Sequence, residues 1–473
     1  MMNRPTSLNA LNASELPLLA QCDVLVVGGG SAGSAAAIAA ARQGAKTILV
    51  EFHSFLGGTS TAALVAPMMS NHLKKQPLNQ GIYLEVLEDM LQTGDAPMYK
   101  DGNMGWFNPE MLKWVLEQKA VEAGVELWYN VTLSDAYFAE TTGPVDSDDS
   151  VQKAYHRTLT GAIVETKSGR GRIEAKVCID ASGDADLAYF AGVPTEQGRG
   201  EAQENQPMAL RFNLGHVDLK KAQQYFESLG DFDWTDNPKD PDIPLWTTAA
   251  TWDKTWPLTP LFEQAVKAGD LSEDDAAYFQ IFTLPGRPGE VTFNCPRLDH
   301  LKHAMDFRER NQALIEGKQR ILRLWQFCRK YLPGFEKSYI VQIAPMLGIR
   351  ESRRIVGEYV LTSEDFFAAR KFEDAVARNN YPIDIHSRDE NGGLHHMKAG
   401  DYHDIPFRCL VPLQVDQLLV AGRALSADFA AQGAVRIIPN CYAMGEAAGR
   451  AAAFAAQHGQ VVRDLDYAKL RDL

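Results

Sequence analysis

Three glycines near the amino end are the first residues whose type and spacing point to a chemical task. Gly28, Gly30 and Gly33 follow the pattern G-x-G-x-x-G directly after an apolar run. Such glycines permit a tight turn, a close approach of the backbone to a pyrophosphate, and close packing of a helix on a strand. Ser31 and Ala32 lie between them, at the entrance to a predicted helix whose amino-terminal N–H groups and positive dipole end attract phosphate.

An acidic residue completes this pattern. Glu51 stands 18 residues after Gly33, at the end of the next apolar run, where its carboxylate can accept hydrogen bonds from a ribose diol. A carboxylate there repels a 2′-phosphate, which disfavours NADP. The three glycines alone could form a turn without a ligand. Together with the strand, the helix and the acid, they predict a dinucleotide site.

The elements that position these residues form a βαβ unit. A buried strand over 23–27 leads into the glycines, a small-residue helix spans about 34–43, and a second buried strand spans 46–50. Downstream the patterns predict helices at about 82–92 and 109–123, strands at 125–129, 158–165 and 172–179, and an exposed acidic loop at 141–150.

The character of the chain changes after about residue 200. Aromatic residues, prolines and short polar turns become frequent, and a long amphipathic helix is predicted over about 298–331. After 349 the α/β pattern returns, with a strand at 417–421 and a Gly/Ala-rich helix at about 440–457. The tryptophans of the middle block would suit a stacking surface for a ring or sugar, but are more typical of a core: Trp234, Trp246, Trp252 and Trp256.

Further segments carry small residues or arginines in recognisable patterns. They are Leu56-Gly57-Gly58-Thr59, then Ala181-Ser182-Gly183-Asp184, then Gly348-Ile349-Arg350-Glu351-Ser352-Arg353-Arg354-Ile355-Val356-Gly357, and finally Val420-Ala421-Gly422-Arg423 with Arg436, Pro439 and Gly445-Glu446-Ala447-Ala448-Gly449. With these motifs the chain resembles the FAD-dependent oxidoreductases of the glutathione-reductase-like flavoprotein superfamily. The resemblance covers most of 22–457 and is weakest between about 215 and 335.

The resemblance implies a fold and a division into domains. The expected fold class is α/β: a Rossmann-type, glutathione-reductase-like FAD-binding domain with an inserted α+β substrate domain. We expect the amino-terminal part of the FAD-binding domain at 1–200, the substrate or cap domain at 201–345, and the carboxyl-terminal part that completes the FAD-binding domain at 346–473.

The resemblance also implies that FAD binds noncovalently. His53 lies near the glycine pair, but its spacing does not match the covalent flavin histidine of some relatives. A helix tip built from tiny residues would approach the flavin pyrimidine and stabilise the negative charge of reduced flavin. The expected cofactor residues are Gly28, Gly30, Ser31, Ala32, Gly33, Glu51, Phe52, Gly57, Gly58, Thr59, Val131, Ala181, Ser182, Gly183, Asp184, Gly422, Arg423, Arg436 and Gly445.

Each of these segments also has a purely structural interpretation. The glycine pair at 57–58 could form an ordinary turn, and the alanines after Gly445 could pack a helix on a sheet. The acids of the turn at 178–186 could cap the next helix, an interpretation compatible with cofactor binding. Arg423 departs from the acid that many superfamily members carry at this position, but fits the closer family.

The arginine-rich segment offers a candidate substrate residue. If this segment is helical, Arg350 shares a face with Arg353 and with Arg354, and like charges there need an offsetting anion. Ion pairing with Glu351 or Glu358 is one solution. The other is that an arginine, with Arg350 as our candidate, binds a substrate carboxylate or the flavin region.

The candidate general bases are histidines. Hydride transfer from an alcohol needs a base, and histidine is the usual choice. His395, His396 and His403 lie in a glycine-flanked stretch that leads towards the last predicted flavin strand, and a segment ending in His386 precedes them. Any one of these four is more typically structural. Metal binding by three of them is disfavoured because adjacent ligands lack a helical repeat, so we predict no metal site.

The expected reaction is hydride transfer between flavin N5 and a small polar metabolite, which could be an alcohol, sugar-like or carboxylated. The chain has no second G-x-G-x-x-G for NAD(P)H and no CxxC pair, so electrons would pass to oxygen, a carrier or a partner. Two alternatives stay open at this point: a flavin monooxygenase, and a flavoprotein that uses FAD without redox chemistry.

Charge and composition limit the partners. The net charge of −14 and the pI near 5.3 disfavour nucleic acid and anionic membrane surfaces. The six cysteines are scattered and fit a reduced, cytoplasmic setting, and neither a signal peptide nor a membrane span is evident. We therefore expect a cytoplasmic enzyme with a small-molecule substrate, an electron acceptor that the sequence does not identify, and a possible homo-oligomer.

Overall fold

The computed structural model describes residues 13–96, 105–139, 157–230, 233–235, 244–250, 256–386 and 392–470. The acidic loop predicted at 141–150 and the tryptophan Trp252 lie outside these ranges, and the side chain of Trp234 is not described. In the described ranges, no helix is both long and apolar enough to cross a lipid bilayer.

Most of the strands are short. They are β1 (Leu18–Val27), β2 (Thr47–Glu51), β3 (His72–Leu73), β4 (Gln76–Pro77), β5 (Glu126–Tyr129), β6 (Thr132–Tyr137), β7 (Arg157–Thr158), β8 (Gly161–Thr166), β9 (Gly169–Asp180), β10 (Thr195–Glu196), β11 (Met208–Ala209), β12 (Phe212–Gly215), β13 (Asp233–Thr235), β14 (Leu245–Ala250), β15 (Phe279–Thr283), β16 (Val291–Phe293), β17 (Arg297–Leu298), β18 (Tyr339–Ile343), β19 (Arg354–Ile355), β20 (Ala375–Asn379), β21 (Ile383–Ile385), β22 (Gly393–His395), β23 (His403–Pro406), β24 (Val415–Asp416) and β25 (Leu418–Val420).

The helices include two long ones, α8 and α11. The full set is α1 (Ser31–Arg42), α2 (Ile82–Thr93), α3 (Pro109–Glu122), α4 (Asp186–Ala191), α5 (Leu219–Leu229), α6 (Thr259–Lys267), α7 (Glu273–Ala276), α8 (Phe307–Tyr331), α9 (Ser363–Phe367), α10 (Phe429–Val435), α11 (Ile438–His458) and α12 (Tyr467–Leu470). The helix predicted from 298 begins at Phe307, because the Asp306 side chain accepts a hydrogen bond from the Arg308 N–H and caps it.

The first sheet has a parallel centre. Its strands run in the order β5-β2-β1-β9-β8-β6, and β25 also pairs with β9. The pairs among β5, β2, β1, β9 and β25 are parallel, whereas β8 pairs antiparallel with β6 and β9. Val27 pairs with Val50 and with Asp180, so the carboxyl ends of three strands meet at one edge. The predicted α/β character and the βαβ unit are confirmed.

Helices α1 and α11 cover this sheet and touch each other backbone to backbone. A Cβ added to Gly445 would lie 2.0 Å from the Ala32 carbonyl oxygen, and one added to Gly449 would lie 2.2 Å from that of Ala36. Only glycine fits at such a crossing. The glycines of the carboxyl-terminal motif therefore allow the last long helix to pack on the first.

The second sheet is built from the middle of the chain. Its order is β13-β14-β15-β16-β12-β18, and all its pairs are antiparallel. Its core includes Phe212 stacked on Phe293 at 4.2 Å between ring centroids, together with the buried Trp246 and Trp256. These two tryptophans are core residues. The domain boundaries near 200 and 345 stay a prediction.

Candidate functional site

The glycine turn between β1 and α1 is held by its neighbours. Gly28 has φ +95°, and a Cβ there would lie 2.6 Å from the Ala181 carbonyl oxygen. A Cβ on Gly33 would lie 1.7 Å from the Gly28 carbonyl oxygen. Both positions require glycine because no side chain fits. The glycine turn at 28–33 and the predicted cofactor segment at 181–184 thus meet at the carboxyl end of β1.

The glycine pair at 57–58 joins the same turn. The Gly57 N–H donates to the Gly29 carbonyl oxygen at 2.8 Å, and a Cβ on Gly58 would lie 2.8 Å from the Gly30 Cα. Gly30 is less crowded than Gly28 and Gly33, because a Cβ on Gly30 would have the Gly58 Cα, at 3.9 Å, as its one neighbour within 4 Å. Next to this pair, the hydroxyls of Ser31 and Ser60 lie 3.2 Å apart.

Glu51 ends β2 beside the glycine turn. Its Oε2 accepts from the Gly29 N–H at 2.6 Å and its Oε1 from the His53 N–H at 2.8 Å. The Val131 N–H donates to the Glu51 carbonyl oxygen at 3.1 Å, which brings the predicted adenine position alongside. Each carboxylate oxygen retains a second lone pair with which to accept a hydrogen bond from a ribose hydroxyl. Phe52, in contrast, is exposed.

The turn after β9 is fastened by Asp180. Its Oδ1 accepts from the N–H and the hydroxyl of Ser182, at 3.0 and 2.7 Å, and its Oδ2 accepts from the Ala188 N–H at 2.9 Å. The Ser182 hydroxyl in turn accepts from the Asp186 N–H at 2.9 Å. Asp180 and Ser182 therefore hold the start of α4, in line with the capping interpretation.

Arg423 connects this turn to the carboxyl-terminal part of the chain. Its Nε donates to the Gly183 carbonyl oxygen at 2.9 Å, its Nη2 to Asp184 Oδ1 at 2.7 Å, and its Nη1 to the Ile349 carbonyl oxygen. Burial acts to raise the pKa of the Asp184 carboxyl, but the charges of Arg423 and Arg310 hold that pKa below its ordinary value. Arg423 and Asp184 form a partly buried ion pair between distant segments.

The segment 350–357 is not helical, so the predicted shared face of arginines is wrong. Arg354 begins the short strand β19 and pairs with the buried Glu351, which satisfies the ion-pairing interpretation for that residue. Arg353 pairs with Asp186. Arg350 points elsewhere: its Nη1 donates to the Pro207 carbonyl oxygen at 2.7 Å. The three arginines thus contact different parts of the chain and do not form one cationic face.

Gly422 and the first turn of α11 also lie close to the beginning of the chain. Gly422 has φ +95°, and a Cβ there would lie 3.0 Å from the Ala32 Cβ. The first turn of α11 carries Asn440, whose Oδ1 accepts from Asn71 and Asn79, at 3.0 and 2.8 Å. The predicted amino-terminal and carboxyl-terminal cofactor segments thus converge on the beginning of α1.

The three candidate histidines are not brought together. His395 and His396 are exposed, at the end of β22 and just after it. His403 is 0% exposed, with Nε2 3.1 Å from Asn379 Nδ2 and Nδ1 3.1 Å from the Asp404 carbonyl oxygen. Both ring nitrogens of His403 bond within the protein, which leaves neither for a substrate proton, and the catalytic role of His395 and His396 stays a prediction.

His386, which the sequence analysis noted without selecting, is better placed. Its Nε2 lies 3.1 Å from Asp384 Oδ2, and the Tyr381 hydroxyl donates to the same oxygen at 3.2 Å. Burial, together with the charges of Arg350 and Arg297, lowers the pKa of His386 well below its ordinary value. His386 is therefore neutral near pH 7. The available signal was an Asp-x-His pattern at the end of a predicted strand, but this pattern is too common to identify a catalytic pair.

Asp384 stays ionised despite its burial. Burial acts to raise its pKa, but His386, Arg436 and Arg350 lower that pKa well below the usual range for an aspartate. Since an ionised carboxylate only accepts hydrogen bonds, the proton shared with His386 lies on Nε2 and leaves Nδ1 with a free lone pair. Histidine Nδ1 is then the proton-accepting atom of this pair.

The described residues show neither a metal-binding group nor a thiol of low pKa. The described residues contain no group of three or more His, Cys, Asp or Glu side chains that could hold a metal ion. All six cysteines are free, and burial raises the pKa of Cys22, Cys295 and Cys441 to about 12. A thiol with such a pKa stays protonated and is a poor nucleophile.

The fold and the site define a dinucleotide-binding α/β protein. Its sheet is parallel at the centre, a glycine turn begins the first long helix, and three small-residue segments converge on that turn. The residues fit FAD: the first turn of α1 offers backbone N–H groups to a pyrophosphate, Glu51 lies at the tip of β2, and the space beside Gly30 is open. The chain belongs to the FAD dependent oxidoreductase family, which matches residues 23–473. The protein is therefore an enzyme, and FAD is its cofactor.

Several solved structures match this chain at low identity. A geranylgeranyl bacteriochlorophyll reductase-like protein from Thermoplasma acidophilum is 16% identical, with 93% of this chain and 79% of that one covered and a TM-score of 0.44. The p-nitrophenol 4-monooxygenase PnpA from Pseudomonas putida is 12% identical, with 96% and 83% covered and a TM-score of 0.41. A flavoprotein/dehydrogenase from Cytophaga hutchinsonii is 14% identical, with 93% and 79% covered and a TM-score of 0.38. No curated protein gives a significant match.

Proposed function

We propose that this enzyme transfers a hydride between a small polar metabolite and flavin N5, with His386 as the general base. The observation that carries the proposal is the Asp384–His386 pair, 3.1 Å apart and largely buried, on a segment that contacts Arg436 at the end of α10. A neutral imidazole held by an ionised carboxylate is the arrangement that general-base catalysis requires.

The arrangement of the first sheet supports a glutathione-reductase-like FAD-binding domain as part of the proposal. Five strands, in the order β5-β2-β1-β9-β25, are parallel, and β6 and β8 add an antiparallel extension to β9. The cofactor residues predicted at the ends of β1, β2 and β9 lie at one edge of this sheet. Ligands of open parallel sheets bind at the carboxyl ends of the strands. A cytoplasmic location is also proposed, on the basis of the free cysteines.

The chain's own residues define the proton path. Bound FAD supplies a two-electron acceptor at N5. For a secondary alcohol, the carbon-bound hydrogen leaves with its electron pair, the hydroxyl proton passes to His386 Nδ1, and the C–O bond becomes a carbonyl. Asp384 holds Nε2 and stabilises the imidazolium that results. Tyr381, which donates to the same carboxylate, fixes the carboxylate's orientation.

The test is flavin reduction under argon. The purified holoprotein is mixed with panels of alcohols, sugars and hydroxy acids, and the loss of flavin absorbance is followed by stopped flow. We expect His386→Asn to slow reduction by about 100-fold or more and to retain FAD, because general-base catalysis contributes about that much. The matched control, His395→Asn, changes an exposed histidine on the neighbouring strand and should react like the wild type.

Two results would contradict the proposal. The first is an equal rate of flavin reduction for His386→Asn and the wild type, which would contradict the role of His386 as the general base. The other is a flavin that no donor reduces but that NAD(P)H reduces, with incorporation of oxygen into an aromatic product. That outcome would support a monooxygenase instead.

A further inference from the structure

Four arginines from separate parts of the chain lie around the Asp384–His386 pair. Arg211, Arg297 and Arg350 are 5%, 3% and 8% exposed, and the Arg436 side chain is 15% exposed. We call these four residues the arginine cluster. They follow β11, begin β17, precede β19 and follow α10, so only the tertiary fold brings them together.

Their charges act on one another. Burial and the positive charges of Arg297, Arg436 and Arg211 lower the pKa of Arg350 to about 9. Burial lowers the pKa of Arg211 to about 10, with further lowering by Arg297 and Arg436. Shifts of this kind mean that several guanidinium groups share one poorly solvated region.

Two of these arginines, Arg211 and Arg350, have no carboxylate partner in the part of the chain that the structure describes. Arg436 shares the Asp384 carboxylate with the neutral His386, at 3.5 Å. Arg350 donates to the Pro207 carbonyl oxygen at 2.7 Å and Arg211 to the Leu64 carbonyl oxygen at 3.2 Å, and neither forms a salt bridge within the described ranges. A carbonyl oxygen carries no full negative charge. At least two buried positive charges therefore lack a counter-ion within the described ranges. Because such a charge is strongly unfavourable, we expect an anion to bind there.

A cavity of about 450 Å³ lies beside the cluster; the four arginines do not line it, and its lining includes the carboxylates of Glu204, Asp274 and Asp299. Pro207, which binds Arg350, and His386 both line it. Gln206 also lines this cavity and is 2% exposed, and its Nε2 has no hydrogen-bond partner in the part of the chain that the structure describes. Arg436 Nε is a second buried donor without an acceptor there. Unused donors beside a cavity predict a ligand that is rich in acceptors.

The cluster also borders the cofactor segments. The Arg211 contact, Leu64, lies shortly after the glycine pair at 57–58. On the other side, Gln432 Nε2 donates to the carbonyl oxygens of Arg350 and Arg423, at 3.2 and 3.3 Å. The anion would thus lie next to the FAD-binding segments and to His386.

We propose that the arginine cluster binds a small organic dianion of the dicarboxylate class, and that this dianion is the substrate of the hydride transfer proposed above. In this proposal the guanidinium groups of the cluster bind the two carboxylates, and Gln206 supplies a further donor from the neighbouring cavity. The guanidinium carbon of Arg297 lies 3.3 Å from the centroid of the Tyr278 ring. The inference rests on the proposed function for its redox step but not for its binding step.

Binding is tested by isothermal titration calorimetry on the purified holoprotein. The probes are malate and succinate as dianions, lactate and butyrate as monoanions, 1,4-butanediol as a neutral compound, and inorganic phosphate. We expect the dicarboxylates to bind at least tenfold more tightly than the monoanions, and the diol not to bind. Equal affinities for dianions and monoanions, or tightest binding of phosphate, would overturn the proposal.

Variants locate the site. Arg350→Met should weaken dicarboxylate binding at least tenfold, and Arg350→Lys, which keeps the charge, should recover part of the loss. Arg408→Met is the control, because Arg408 is exposed and pairs with Asp374 outside the cluster. Flavin content is measured for each variant. Loss of FAD from both Arg350 variants would assign the cluster to the cofactor and overturn the proposal.

The two proposals fail in distinguishable ways. Dicarboxylate binding that depends on Arg350, without any loss of flavin absorbance under argon, would support the anion site and contradict hydride transfer from that ligand. Flavin reduction by neutral alcohols, with no preference for dianions in calorimetry, would support hydride transfer and overturn the anion site.

Discussion

At the scale of single residues, His403 illustrates how burial separates a structural histidine from a catalytic one. A carbonyl oxygen only accepts, so Nδ1 donates to Asp404 and Nε2 accepts from Asn379. Asn379 Oδ1 accepts from Asn440 at 2.8 Å, which continues the network to the first turn of α11. Both ring nitrogens are used by the protein itself, so the imidazole positions α11 rather than handling substrate protons.

This burial makes stability depend on pH. Burial lowers the pKa of His403 to about 4, whereas the unfolded chain has a histidine pKa of about 6.5. Between these values the unfolded state binds a proton that the folded state does not, so acid favours unfolding. We expect the free energy of unfolding to fall by about 3 kcal/mol from pH 6.5 to pH 4 on account of this residue.

Urea titrations at several pH values measure this slope for the wild type and for His403→Gln. The variant should be less stable at pH 7 and lose less stability on acidification. The exposed His396, changed to Gln, serves as the comparison and should leave the slope as it is. If His403→Gln showed the wild-type slope, another group would be responsible.

At the scale of elements, the contact between α1 and α11 links the two ends of the chain through glycine. The substitution Gly445→Ala would place a Cβ 2.0 Å from the carbonyl oxygen of Ala32, in the first turn of α1, which is suited to bind the FAD pyrophosphate. The two helices would have to move apart. We expect Gly445→Ala to cost about 1–3 kcal/mol of stability, the usual cost of overpacking, and to weaken FAD retention.

Thermal unfolding and the flavin-to-protein absorbance ratio test this expectation. Arg450→Ala places an alanine on the exposed side of the same helix and should cost about 0.5 kcal/mol or less. Full FAD retention by Gly445→Ala would show that the helices can separate without disturbing the cofactor, and would contradict the role given to this crossing.

At the scale of the whole molecule, Arg423 holds three distant stretches together. It binds the turn at 183–184, the Ile349 carbonyl oxygen and, through its own carbonyl oxygen, Gln432. Removing one partner of a buried ion pair leaves the other charge buried without a counter-ion. For a fully buried pair this lowers the free energy of unfolding by about 3–5 kcal/mol. Since this pair is partly buried, we expect Arg423→Met to cost about 2–3 kcal/mol and to loosen FAD.

The comparison is an exposed ion pair. Lys221 and Glu336 are about half exposed, so Lys221→Met should change stability by about 0.5 kcal/mol at most. Chemical denaturation and equilibrium dialysis of FAD give the two readouts. An Arg423→Met protein that matched Lys221→Met in both would show that the distant stretches are held by other contacts.

Much of the cofactor site could be predicted from the sequence because its requirements are local. A turn at Gly28 and a crossing at Gly33 leave no room for a Cβ, so the need is visible as glycine at a fixed spacing. The contacts of the segment at 350–357 could not be predicted in full, for the opposite reason. Arg353 and Arg354 pair with Asp186 and Glu351, and Arg350 donates to the Pro207 carbonyl oxygen, and these contacts depend on tertiary packing.

The sequence by itself determined the glycine turn, the parallel strands and the family, and with the family the cofactor. Only the tertiary structure decided which polar groups share a space: the Asp384–His386 pair among Arg211, Arg297, Arg350 and Arg436, with His395 and His396 outside. The physical reason is the distance along the chain over which each feature is determined. Backbone geometry is set by neighbouring residues, whereas a buried charge cluster collects side chains from elements more than 200 residues apart.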